Sequence, residues 1–202
     1  MRRLGATFAA LATVTACREG PATCPVQVEL VDPQAFRLIA ADRDPFELSD
    51  AGVTDAGTSS TSTSTFIRGR CTDDDVQTEF LGAEPSFSIV TRFCARGTAE
   101  APLLADVAIG EPLTFRLWHY SIQDLGPGEA FLEVALDGTA LWTARVPLPS
   151  PGRLVLETFS APLSARAGAQ VRWHVANHGS NSWNFLSLSA LREGVCPDAG
   201  AD

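Results

Sequence analysis

The chain has 202 residues, 45% of them hydrophobic and 19% charged, enough to bury a sizeable core in one domain. Its formal net charge of −9 opposes nucleic acid as a partner, as it does an anionic membrane surface. All 15 basic side chains are arginines, so Schiff-base and phosphate-loop lysine chemistry have no residue to use.

The N-terminus reads as a processed export signal. Arg2 and Arg3 form a positive start, and Leu4 to Val14 are apolar but too short to cross about 30 Å of hydrocarbon. Small residues then precede a cysteine in Val14-Thr15-Ala16-Cys17, a run that resembles the lipobox of bacterial lipoproteins. The resemblance implies that residues 1–16 are removed, that Cys17 is lipidated, and that residues 17–23 form a short tether. Losing Arg2 and Arg3 takes the charge from −9 down by two, to −11. Later apolar runs are short and broken by Gly and Pro, so the lipid on Cys17 is the expected membrane contact. The location implied is the cell envelope. Arg18 after the lipidated cysteine, where Asp would retain an inner-membrane protein, points to the outer membrane, facing periplasm or exterior.

Residues 24–198 are expected to form the folded domain. PVQVELV (25–31) alternates as a strand, and AFRLIAADRDPFEL (35–48) reads as a loop or short second strand. Residues 49–65, SDAGVTDAGTSSTSTST, have almost nothing to bury and read as a flexible surface loop. Beyond them come nine strand candidates: FIRGRC, VQTEFLG, SFSIVTRFC, PLTFRLWHYSI, AFLEVALDG, ALWTARVPL, RLVLETFSA, QVRWHVANH and NFLSLSAL. Asp137-Gly138 marks a hairpin, and Pro149 to Gly152 and Arg166 to Gly168 mark further turns. Short strands at this spacing predict an all-β antiparallel sandwich. In an oxidising compartment Cys24, Cys71, Cys94 and Cys196 are expected to form two disulfides. Three connectivities are open. Pairing of the terminal strands favours Cys24–Cys196, which leaves Cys71–Cys94. No two of them have the close spacing of a zinc ribbon.

From Leu103 to Leu191 the pattern resembles the second half of a galactose-binding-like jelly roll, the sandwich of many carbohydrate-binding modules. The residues that carry it are GEPLTFRLWHYSI, the hairpin LEVALDGTALWTARVPLP, RLVLETFSAPLS and the closing pair AGAQVRWHVANHGSNSWNFLSLSAL. The resemblance implies a jelly-roll β-sandwich, without transferring any binding residue one by one.

Candidate ligand residues follow from strand phase. In 113–122, Leu113, Phe115 and Leu117 face one way, and Arg116, Trp118 and Tyr120 the other. Aromatic faces beside a guanidinium suit a sugar ring, which offers C–H faces for stacking and hydroxyls for hydrogen bonds. In QVRWHVANH the polar phase is Arg172, His174 and His178. If the two strands share a sheet, Arg116, Trp118, Tyr120, Arg172 and His174 line one groove, with Glu133 nearby. The competing expectation is that the N-terminal segment buries both faces. The turn 177–184 offers Asn177, His178 and Asn181 at a loop tip, or simply satisfies itself. A zinc site from His119, His174 and His178 is opposed by the core-facing phase of His119. Asp73-Asp74-Asp75 could hold a structural calcium or be a solvated turn. No nucleophile elbow or acid pair stands out, so the expected function is non-catalytic: binding of carbohydrate or envelope glycan. The alternative is a structural or protein-interaction lipoprotein with an envelope protein as partner.

Overall fold

A computed structural model of the chain describes residues 23–46, 68–122, 128–177 and 180–195. The signal, the lipobox, the Ser/Thr-rich stretch 49–65, His178 and Cys196 lie outside the described residues. The chain divides into two compact units, one of Met1–Val26 with Glu193–Asp202 and one of Gln27–Arg192. In the first, Gly194 lies so close to Val26 that a Cβ there would come within 2.6 Å of it.

Among the described residues twelve strands occur: β1 Thr23–Glu29, β2 Arg37–Leu38, β3 Arg68–Arg70, β4 Val76–Leu81, β5 Glu84–Val90, β6 Cys94–Pro102, β7 Pro112–His119, β8 Gly128–Leu136, β9 Thr139–Leu148, β10 Arg153–Ser160, β11 Gln170–Ala176 and β12 Ser182–Val195. They form two six-stranded sheets, ordered β10-β7-β12-β5-β4 and β2-β6-β11-β8-β9, with β1 added to β12 and β3 to β6. From β5 onward successive strands alternate between the sheets except for the β8–β9 hairpin, which stays in one sheet, giving 5-12-7-10 in one and 6-11-8-9 in the other. That order is the jelly roll. Every pair along the two five-strand paths is antiparallel, and β3 adds to β6 in parallel.

Period-2 alternation decides which face each strand buries. On β7, Leu113, Phe115, Leu117 and His119 are buried, while Thr114, Arg116 and Trp118 are half-buried on the opposite face. Between the sheets, Phe36, Phe87, Phe115, Phe185 and Trp173 form one aromatic cluster, with neighbouring ring centroids 4.8–6.1 Å apart. The β8–β9 hairpin turns on Asp137 (φ 46°) and Gly138 (φ 81°), the two positive values that a type I′ turn requires.

The expected strand SFSIVTRFC ends early. Thr91 to Phe93 form a turn, and Cys94 opens β6, CARGTAEAP, which sequence reading missed. Four small residues leave β6 little strand propensity, yet it lies between β11 and β2 and buries Gly97, Thr98, Ala99 and Ala101. Cys71 and Cys94 form a disulfide with Cα atoms 4.9 Å apart, joining the end of β3 to the start of β6. Cys24 lies half-buried on β1. Its expected partner, Cys196, is outside the described residues.

Candidate functional site

The expected single groove does not exist, because β7 and β11 belong to opposite sheets. Their outward phases face away from each other. Arg116, Trp118 and Tyr120 lie on one sheet, and Arg172, His174 and Glu133 on the other.

On the first sheet, Tyr120 is 46% exposed and its ring meets Trp118 edge-on at 6.1 Å. Arg116 Nη1 pairs with Glu84 Oε1 at 3.0 Å. Register places Leu154 opposite Trp118 and Leu156 opposite Arg116 on β10, and both leucines are exposed. On the other flank, β12 sets Asn184 opposite Trp118, Ser187 opposite Arg116 and Ser189 opposite Thr114, and β5 sets Ser88 beside Asn184. These four residues and Ser86 are buried although they occupy the outward phase. Asn184 Nδ2 donates to the Trp118 carbonyl at 3.1 Å, and the Ser88 hydroxyl lies between Glu79 Oε1, at 2.7 Å, and Asn184 Oδ1. The Ser187 hydroxyl is buried without a hydrogen-bond partner among the described residues. The outer face of this sheet is thus an apolar and aromatic strip beside a bed of small polar groups. The serines were missed as site residues, although SFS and SLS already alternate small polar with core residues.

On the second sheet the segment before β3 covers His174 but not the whole face, leaving Arg172 and Glu133 half-exposed. Phe46 stacks on His174 with centroids 3.8 Å apart and planes at 14°, and His174 is 2% exposed, its Nδ1 2.7 Å from Thr98 Oγ1. Asp44 anchors that segment by pairing with Arg70 at 2.9 Å. His174 is therefore not a surface ligand residue. Glu133, its cross-strand neighbour, is half-buried, and this burial holds its carboxyl above the ordinary range. Arg172 Nε lies 3.9 Å from Glu100, which Arg43 approaches at 3.7 Å.

The turn residues are also corrected. Asn177 and Asn181 are buried rather than displayed at a loop tip. Asn177 Nδ2 donates to Thr91 Oγ1 at 3.0 Å and its backbone N–H to Ala95 O at 2.6 Å, while Asn181 O accepts from Thr91 N at 2.8 Å. These bonds tie the turn to the β5–β6 connection, a structural use. His119 is fully buried, as its phase implies, with desolvation holding its pKa down. Nor does the acidic triplet gather ligands for calcium. Asp75 accepts from Thr72 N and Oγ1 at 2.8 and 3.0 Å to cap its turn, while Asp73 and Asp74 are exposed.

A larger hollow, about 930 Å³, lies among Asp106, Glu111, Asp137, Ser164, Arg166 and Arg192. Framework bonds occupy most of its polar groups. Glu111 binds Arg192 at 2.6 Å, which holds its carboxyl below the usual range, and Asp106 and Asp137 accept backbone N–H groups.

No known family matches the chain, and no curated protein does. Among solved structures, a module described for specific mannan recognition, TmCBM27, is 8% identical over 85% of this chain and 98% of its own, with a TM-score of 0.42. The C-terminal CBM6 of LamC from Zobellia galactanivorans is 17% identical over 58% of this chain and 89% of its own, TM-score 0.37. The enzymatically active domain of bacteriophage CBA120 tailspike protein 4 is 11% identical over 58% of this chain, which spans only 18% of that protein, TM-score 0.39. At these scores the likeness settles neither ligand nor activity, and the jelly-roll assignment rests on the strand order itself.

Proposed function

We propose that this chain is an exported, lipid-anchored β-sandwich that binds carbohydrate without catalysis through the outer face of its first sheet. The observation that carries the reading is the exposure of Tyr120 at 46%, edge-on to a half-buried Trp118 and in line with Arg116. A sugar ring stacks on the aromatic faces and its hydroxyls bond to Arg116 and Glu84. Anchoring through Cys17 would hold this face near an envelope glycan. Affinity electrophoresis of the protein against soluble β-glucan, xylan, mannan and peptidoglycan fragments tests the binding. Retardation by one glycan that falls about tenfold or more in Trp118→Ala and Tyr120→Ala supports it, as expected for truncating an aromatic anchor. No retardation by any glycan sinks it.

The exposed Leu154 and Leu156, at 45% and 60%, favour a second reading, in which the same strip docks an envelope protein. Under it, cross-linking in whole envelopes captures a partner in a manner lost in Leu154→Ser/Leu156→Ser, with glycan binding absent. Both readings share the anchor. Acyl-chain labelling and membrane fractionation should be abolished in Cys17→Ser, and a soluble, unlabelled wild-type protein would refute lipidation.

A further inference from the structure

The second sheet carries a separate cavity that the glycan face does not use. It measures about 160 Å³ and is lined, among the described residues, by Pro45, Phe46, Glu133, Ala135, Gly138 and Arg172. Small residues make its floor. Ala135 contributes one methyl group, and Gly138, fixed at φ 81° by the hairpin, leaves the space beside Arg172 Nη1 open. Its roof is Phe46, held in place by the His174 stack and by its backbone N–H, which donates to Asp44 Oδ1 at 3.1 Å.

Two opposite charges meet here without pairing to each other. Arg172 stands opposite Ala135 and Glu133 opposite His174 in the β8–β11 register, so they are diagonal neighbours with backbones roughly 7–8 Å apart. Glu133 has no hydrogen bond or ion pair with any described residue, and Arg172 Nε is buried without a hydrogen bond among them. Glu100 must serve both Arg43 and Arg172, leaving one positive charge over beside the lone negative charge of Glu133. A net anion or cation would satisfy one and repel the other.

We propose that this cavity binds a small zwitterion of the α-amino-acid type, its carboxylate on the Arg172 guanidinium and its ammonium on the Glu133 carboxylate. The size agrees: a cavity of about 160 Å³ has room for a molecule as small as glycine or alanine. Charge-assisted bonds at both ends span the gap that the two side chains leave open. The site lies on the sheet opposite Trp118 and is independent of glycan binding.

The test is an NMR titration of the uniformly ¹⁵N-labelled protein with glycine and L-alanine, following the Gly138 amide and the Arg172 Nε–H. Saturable shifts at Phe46, Ala135, Gly138 and Arg172 are expected, weakened tenfold or more in Glu133→Gln, which removes the charge with little change of shape. Ala135→Val, which fills the floor while leaving both charges, should weaken binding as much. Propionate and ethylamine, each with one charge, should bind at least tenfold more weakly than glycine. Absence of saturable shifts in the wild-type protein would overturn the proposal. So would unchanged affinity in both variants, or equal binding by a single-charge probe.

Discussion

Trp173 and Trp183 are both fully buried, and the indole N–H of each has no acceptor among the described residues. Their value therefore lies in packing, partly offset by a desolvated donor. Trp173→Ala should cost about 3–5 kcal/mol, as removal of a buried aromatic generally does. Trp173→Phe should cost clearly less, because it also removes the unsatisfied donor. Urea unfolding of the two variants compares them directly. The two shifted glutamates give opposite pH dependences. Arg192 holds Glu111 below its ordinary value of 4.5, so this pair stabilises the fold fully above that value and less as pH falls through the lowered one. The stability gap between wild type and Arg192→Met should accordingly narrow on acidification. Glu133 is the reverse case: burial raises its value, so its neutral form favours the fold and that advantage is lost as pH rises through the raised value. Glu133→Gln should be more stable than wild type at pH 7, with the difference fading below 4.5. Thermal midpoints across pH 3–8 measure both gaps. A gain from Glu133→Gln would also mark Glu133 as retained at some expense of stability, as binding groups often are.

At the scale of the strand, β6 shows how tertiary position overrides composition. CARGTAEAP has only one β-branched residue, Thr98, and no aromatic one, yet it pairs along its length with β11 and on its other side with β2 and β3. Its small residues are a requirement of the site rather than a weakness. A Cβ on Gly97 would lie 3.1 Å from Cys71 Cβ, 3.3 Å from Cys71 Sγ and 3.3 Å from Ile89 Cγ2. Gly97→Val should therefore destabilise by about 1–3 kcal/mol through overpacking, and equilibrium unfolding would show it. The hairpin of β8 and β9 is the opposite case, in which local chemistry sufficed. Asp-Gly between alternating apolar runs specifies a type I′ turn, and the structure has that turn. The same turn sets Gly138 in the lining of the second-sheet cavity.

Across the whole molecule, the Cys71–Cys94 bridge closes a loop of 23 residues that includes β4 and β5, strands of the other sheet. The bridge thus constrains a crossing between the two layers. Replacing both cysteines by alanine should cost roughly 2–4 kcal/mol, mainly by releasing the unfolded chain. Thermal unfolding of the double variant checks this, and a midpoint equal to wild type would show the bridge to be idle.

Alternation and turn chemistry were enough to determine most strands, the core-facing phases of Leu113, Phe115, Leu117 and Val171, and the all-β class, because side-chain period and turn conformation are local properties. They also set Arg116, Trp118 and Tyr120 outward on one strand. What they left open was which sheet each strand would join. Strand phase fixes a face relative to its own sheet; β8 and β9 stay in one sheet as a hairpin, which breaks the alternation of strands between sheets and puts β11 in the sheet opposite β7, so the polar faces of β7 and β11 point in opposite directions. Only the tertiary structure could divide the expected groove into an aromatic face and a roofed, charge-bearing cavity, since both depend on contacts across long sequence separations: Trp118 with Asn184, Phe46 with His174, Glu133 beside Arg172.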